Sequence, residues 1–200
     1  MKHYFTDDDK DKGPLRHDIV VRFDGEELSF LSAEGMFSKD RLDTGSRLLI
    51  EESELPSAGS VLDLGCGIGV VGILVLKREP ALTVVQSDVT EKAVRLTKQN
   101  AQKHHVQTRV VQGNCYEALQ SETFDVILTN PPRAAGKEVI RRMIEEAPAH
   151  LTDGGSLQLV AMTNKGGETY AKIMKETFGN VETIARGSGF KIYKSVRQPV

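Results

Sequence analysis

The stretch Val61-Leu62-Asp63-Leu64-Gly65-Cys66-Gly67-Ile68-Gly69-Val70-Val71-Gly72 decides the fold. Its first four residues are an apolar run broken by one acid, which reads as a buried parallel strand. Glycines then stand at alternate positions, Gly65, Gly67 and Gly69. Beyond them Ile68, Val71, Gly72 and Val75 recur at the spacing of a helix face packed on a sheet. Strand, glycine turn and helix start make a place where backbone approaches a ligand closely. Glycine tolerates positive φ and carries no Cβ to block the contact. The first N–H groups of a helix have no intrahelical acceptor and face outward.

Strand and helix patterns alternate downstream of this stretch. Strands are expected at 60–64, 82–87, 108–112, 124–129 and 155–161, and helices at 68–78, 90–103, 137–149 and 166–178. Such alternation implies βαβ units, right-handed crossovers and a parallel sheet covered on both faces. Gly179-Asn180 ends the last helix. Val181 to Ala185 and Phe190 to Val196 then read as two strands around Gly187-Ser188-Gly189, a hairpin that makes the last strand antiparallel.

Upstream, Asp24-Gly25 between Ile19–Phe23 and Glu26–Leu31 signals a two-residue β-hairpin. Asp43, Thr44 or Ser46 can cap a helix running to about Glu52. Asp7, Asp8, Asp9 and Asp11, mixed with Lys10 and Lys12, read as a solvated acidic tail. The expected fold is α/β, a Rossmann-like and mostly parallel sheet with an antiparallel last strand, preceded by an N-terminal β-hairpin. Residues 1–56 are expected as an extension packed on a main domain at 57–200.

Composition narrows the function. With 200 residues and 39% hydrophobic content the chain can bury one sizeable core. A net charge of -2 gives no bulk attraction to nucleic acid, so any such contact needs a local patch. Cys66 and Cys115 form no CxxC pair, which argues against a disulfide framework or a zinc site and fits a cytoplasmic protein. No metal is expected. No apolar run approaches a membrane span, and Met1-Lys2-His3-Tyr4-Phe5 has no apolar signal core. His104 and His105, late in a helix, are expected to be exposed.

In an open α/β sheet, ligands bind beyond the carboxyl ends of the strands. Four expected strand ends carry suitable residues. The glycine loop fits the dinucleotide fingerprint through Gly67-x-Gly69-x-x-Gly72. It also fits the first motif of S-adenosylmethionine (SAM) methyltransferases through Asp63-x-Gly65-x-Gly67-x-Gly69. The acid inside the strand favours the second, since a buried aspartate needs donors such as loop amides or a ligand ammonium. Asp88 lies about 20 residues beyond the glycines, where an acid reaches ribose hydroxyls. It is also placed to cap the next helix. Asn114 and the Cys115 N–H could border an adenine edge, or form an ordinary helix-start loop. In Asn130-Pro131-Pro132-Arg133 the prolines leave carbonyls without donors, and Pro131 forces Asn130 into an extended conformation. The Asn130 oxygen and a proline carbonyl then suit an exocyclic amino group.

Asp63 to Gly69, Asp88 and Asn130-Pro131-Pro132 resemble the class I methyltransferases that modify amino groups. Gly35-Met36-Phe37-Ser38, Leu42 to Ser46, Gly136-Lys137-Glu138, Phe178-Gly179-Asn180 and Lys191 to Ser195 narrow this further. Together they resemble the small-subunit (16S) ribosomal RNA guanine-N2 methyltransferases of the RsmC type, in a short single-domain form, over roughly Ile19 to Val196. The resemblance implies SAM as cofactor and no metal. Its binding residues would be Phe37, Ser38, Asp63, Gly65, Gly67, Gly69, Asp88, Val89, Asn114, Cys115 and Asn130. Catalysis would rest on Asn130, Pro131 and Pro132, and substrate contact on Arg133, Lys137, Lys191 and Lys194. RNA, either free or within the small ribosomal subunit, would be the partner of a monomer or homodimer.

The residue after Asn-Pro-Pro, often aromatic in amino methyltransferases, is here Arg133, whose guanidinium can stack on a base or pair with phosphate. Beyond Glu182 the chain carries Arg186, Lys191, Lys194 and Arg197 and no acid, a formal +4. Three other readings stay open. A protein glutamine N-methyltransferase also uses Asn-Pro-Pro, usually with an aromatic fourth residue. A nicotinamide dehydrogenase lacks its Tyr-x-x-x-Lys pair here. A non-catalytic RNA-binding module could retain the fold.

Overall fold

The computed structural model describes residues 16–34, 42–131 and 136–199. Strands β1 (Arg16–Phe23) and β2 (Glu26–Ala33) form an antiparallel hairpin. Asp24 and Gly25 turn it with φ 48° and 77°, the twist that matches flanking strands. Helix α1 (Thr44–Glu52) follows, with Asp43 as its cap.

The main sheet takes β3 (Gly59–Leu64), β4 (Leu82–Asp88), β5 (Arg109–Gln112), β6 (Phe124–Thr129), β7 (Leu151–Met162), β8 (Glu182–Gly187) and β9 (Phe190–Val196). Their order is β5-β4-β3-β6-β7-β9-β8. The first five in space are parallel; β9 is antiparallel to both β7 and β8. The last strand therefore enters between β7 and β8 rather than extending the edge. The chain winds outward from β3 through β4 to β5, then returns to the other side of β3 as β6. That reversal opens a crevice at the carboxyl ends of β3 and β6.

Helices α2 (Val70–Arg78) and α3 (Glu91–Lys103) are followed by α4 (Lys137–Glu145) and α5 (Glu168–Phe178). Alternate strand residues feed two cores. Val61, Val126, Leu128 and Ile192 pack with α1, α2, α3 and the hairpin residues Ile19, Val21 and Phe30. Leu62, Leu64, Ile127 and Tyr193 pack with α4 and α5. Fully burying a side chain such as Ile19 or Phe30 stabilises the fold by about 1.5–3 kcal/mol. Asn100 of α3 fastens the hairpin with polar bonds, accepting from Leu31 N at 2.7 Å and donating to Leu31 O at 2.9 Å.

Several boundaries differ from expectation for local reasons. Helix α2 starts at Val70, because Gly69 is left-handed at φ 85° and forms the cap. Helix α4 stops at Glu145; Pro148 lacks a donor, and Ala147–His150 tightens into a 3-10 turn. Strand β7 begins at Leu151 rather than 155. Its pairing jumps from Phe124↔Leu151 to Val126↔Ser156, so Gly154 and Gly155 lie in a bulge within the strand. Helix α5 begins at Glu168, after a wide turn at Thr163–Gly167 in which Gly166 has φ 98°. His104 is half-buried instead of exposed. Its ring lies 4.3 Å from that of Phe30, its Nε2 is 3.0 Å from Ser29 O, and burial lowers its pKa.

Candidate active site

Register sets the site. Asp63 of β3 pairs with Leu128 of β6, and each strand ends within the next residue. Gly65 and Asn130, two residues further on each, therefore stand side by side at the mouth of the crevice. Adjacent strands are spaced about 4.8 Å apart. The Thr129 hydroxyl donates to Leu64 O at 2.8 Å, holding the two strand ends together.

The glycine loop is pinned from below. Gly65, Gly67 and Gly69 all have positive φ, of 78°, 58° and 85°. The Gly65 and Cys66 amides donate to Ser87 O, and Gly67 N donates to Asp88 Oδ2 at 3.0 Å. Thr97 Oγ donates to Gly67 O and Asn100 Nδ2 to Ile68 O. The buried polar residues Thr97 and Asn100 thus support the loop from α3. Their spacing among the apolar residues Ala93, Leu96 and Ala101 was the signal available in the sequence.

Asp63 is 2% exposed and accepts from Gly72 N at 2.9 Å. Burial, with the nearby Asp88 charge, pushes its pKa up to about 7, against the pull of the Gly72 bond. That donor is an amide of the glycine motif's helix. With its amide turned over, Gln86 also donates to Gly69 O at 3.1 Å and Asp63 Oδ2 at 3.3 Å. Asp88 ends β4 and does not cap α3; that cap is Thr90, which accepts from Ala93 N. Asp88 Oδ1 accepts from Thr90 N and Thr90 Oγ. Three of its roughly four acceptor positions are filled.

Gly113 N donates to Asp88 O, which brings Asn114 and Cys115 beside the end of β4. Cys115 has φ 55° and is 4% exposed, and burial raises its thiol pKa. Val89 follows Asp88, and its carbonyl accepts from Gln112 Nε2 at 3.2 Å. On the other side of the crevice, Asn130 Nδ2 donates to Asp43 Oδ1 at 3.0 Å and Ser46 Oγ at 2.9 Å. From the sequence, Asp43 and Ser46 read as caps and as part of the resembling stretch Leu42 to Ser46, with no contact to Asn130 expected. Their second partner is 87 and 84 residues away, and no local pattern reports it.

Not every expected residue gathers here. Phe37, Ser38, Pro132 and Arg133 lie outside the described residues. Lys137 is exposed in the first turn of α4, beyond the end of β6. Lys191 is near the carboxyl end but bonded to Glu168 at 2.6 Å. Lys194 is two residues from the end of β9, pairs with Gln158 in register, and lies between Glu54 and Glu182 with 17% of its side chain exposed. Its backbone is level with Leu128, but its side chain lines the cleft beside Asp125, at the other end of β6 from Asn130. Arg197 pairs with Asp153. Of the four C-terminal cations, Arg186 alone has no ion pair among the described residues.

This sheet order, glycine loop and strand-end acid define a class I methyltransferase domain. The chain belongs to the methyltransferase small domain family, whose model matches residues 27–194. It is 35% identical over 178 residues to a ribosomal RNA small subunit methyltransferase C of Hamiltonella defensa, covering 87% of this chain and 52% of that protein. It is 32% identical over 197 residues to the uncharacterized protein YbxB of Bacillus subtilis, covering 97% and 98%. Among solved structures it is similar to the T. thermophilus 16S rRNA N2 G1207 methyltransferase (RsmC) in complex with AdoMet and guanosine. That match has a TM-score of 0.81 and 25% identity, over 92% of this chain and 51% of the other. The chain spans about half the length of the methyltransferase C relatives it matches.

Proposed function

We propose that this chain transfers the methyl group of SAM to an exocyclic amino group, N2 of guanine in small-subunit ribosomal RNA. One observation carries the reading: register sets Asn130 level with Gly65 on the neighbouring strand, so the acceptor group and the glycine loop share one crevice. The T. thermophilus structure, a complex with AdoMet and guanosine, supports the same pairing of ligands.

The residues present fit such a cofactor. Asp88 keeps one acceptor position at the end of β4, where a ribose hydroxyl could donate. Ser87 Oγ, one residue earlier, is buried without a partner among the described residues. The Asp88 carboxylate gives the crevice a negative potential that favours a cationic ligand. When bound, SAM supplies an electrophilic methyl group on a sulfonium. Asn130 Oδ1 and the Pro131 carbonyl accept from the amine and hold its nitrogen in line. A base inside a stacked duplex cannot reach them, so the acceptor is flipped or single-stranded. Lys137, Lys165 and Arg186 have no ion pair among the described residues, and all three stand toward the carboxyl ends. They are the phosphate-facing candidates, in place of Lys191 and Lys194.

The test is to incubate the chain with labelled SAM and, separately, ribosomal RNA, small subunits and cell protein. The product is then digested and the methylated residue identified. N2-methylguanosine is expected. Label on protein glutamine overturns the acceptor assignment, and SAM binding without transfer to any acceptor leaves a binding module.

A further inference from the structure

We propose that Asp43 and Ser46 are positioning residues for methyl transfer. They occupy both amide hydrogens of Asn130 and so present its Oδ1 to the acceptor amine. The inference rests on the reading of Asn130 as the amine's acceptor.

An amide nitrogen carries two hydrogens. That of Asn130 has two acceptors, Asp43 Oδ1 at 3.0 Å and Ser46 Oγ at 2.9 Å. The opposite orientation fails at both. Its oxygen would face a carboxylate, and the Ser46 hydroxyl already donates to Asp43 Oδ2 at 2.6 Å. One orientation therefore satisfies the whole network, and in it Oδ1 points away from α1. Among the described residues nothing donates to that oxygen.

The clamp is itself fixed. Asp43 Oδ1 accepts from Ser46 N at 3.0 Å, and Asp43 holds extended backbone at φ −68°, ψ 153° as the cap of α1. Leu49 and Ile50 bury α1 in the core at 0% and 2% exposure. Gly45 permits the approach: a Cβ there would lie 3.3 Å from Asn130 Nδ2, 3.1 Å from Asp43 Oδ1 and 3.0 Å from Phe190 Cε1. Capping needs only the bond to Ser46 N; the reach to Asn130 is additional. A carboxylate pulling on the amide hydrogens also polarises the group, which strengthens Oδ1 as an acceptor.

The test compares Asp43→Ser, Asp43→Asn and Ser46→Ala with wild type on whichever acceptor the wild type labels. Serine preserves a capping oxygen but is one bond shorter than the side chain that reaches Asn130. Asparagine keeps an acceptor oxygen in the place of Oδ1. Single-turnover rates at saturating SAM are measured with melting temperature and SAM affinity. Asp43→Ser should slow transfer about tenfold to a hundredfold, as a misplaced reacting group does. Melting temperature and SAM affinity should change little, and Asp43→Asn should recover most of the rate. Asp43→Ser that transfers at the wild-type rate overturns the proposal, as does a loss that vanishes at saturating SAM and acceptor. Should Asp43→Ser fail to fold, Ser46→Ala, which removes one hydroxyl, carries the same comparison. A wild type that labels another base or a protein overturns the guanine assignment and leaves this comparison intact.

Discussion

Strand β6 carries a polar side chain at each end, and the two are used in opposite ways. At the amino end Asp125 accepts from Ser60 N at 2.8 Å, Ser60 Oγ at 3.0 Å and Thr152 Oγ at 3.0 Å. It bridges β3 and β7, and the Ser60 amide bond first among these holds its pKa below the ordinary value. An open cleft of about 360 Å³ lies beside it, lined by Glu54, Asp153 and Lys194 among others. Lys194 there is already paired with Glu54 and Glu182, and Asp153 with Arg197. At the carboxyl end Asn130 is held just as firmly, but through its donors alone. Among the described residues nothing donates to its oxygen. The groups around the amino-end cleft are already paired with one another; at the carboxyl end a fixed group keeps hydrogen-bonding capacity unfilled among the described residues.

The comparison breaks or sharpens with substitutions at either end. The largest effect falls on Asp63, beneath the glycine loop. Its ordinary pKa of 3.8 rises to about 7 in the fold. Between these values the folded protein keeps a proton that the unfolded chain has lost. Stability from this group therefore falls as pH rises through the window and is lowest above it, by on the order of 4 kcal/mol. Asp63→Asn should keep the bond from Gly72 N and remove that fall. Thermal melts of both proteins from pH 4 to 8 should diverge progressively toward pH 7; parallel curves would show that Asp63 stays charged in the fold.

Next in size is Asp125→Ala, which strips a backbone amide and two hydroxyls of their acceptor. A cost of about 3 kcal/mol in urea unfolding is expected. A stability equal to wild type would mean that the amino end is not the structural one. Smaller again is Asp88→Ala. Three donors already occupy Asp88, so a ribose gains one charge-assisted bond rather than two. Calorimetry should show SAM affinity lower by about 2 kcal/mol, roughly thirtyfold. Unchanged affinity in a folded variant would remove Asp88 from the cofactor site.

The parts legible in the sequence were those set by neighbouring residues. Asp24-Gly25 dictates its turn because both residues tolerate positive φ. The alternation after Gly59 dictates a parallel sheet because apolar runs need helices on both faces. The rest depended on distant partners. Gly154-Gly155 looks the same as a turn or a bulge until β6 is opposite it. Thr90 and Asp88 are both good caps, and the choice was made by Gly67 N, which engages Asp88 from another strand end. The +4 at the C-terminus counted Lys191, Lys194 and Arg197 as available, whereas Glu168, Glu54, Glu182 and Asp153 come to them from elsewhere in the chain. Asn-Pro-Pro reads as an acceptor at Asn130 from local residues alone, whereas the partners that hold its amide lie on α1 and its cap.

The most direct measurement is the single-turnover rate of methyl transfer at saturating SAM, for Asn130→Ala and Asp125→Ala side by side. Losing an oriented acceptor at the reacting amine should slow Asn130→Ala about a hundredfold, on the order of 3 kcal/mol, in a folded protein. Asp125→Ala, though less stable, should transfer within about twofold of wild type at a temperature where it is folded. Asn130→Ala at the wild-type rate, or Asp125→Ala as slow as Asn130→Ala, would contradict the assignment of chemistry to one end of β6 and structure to the other.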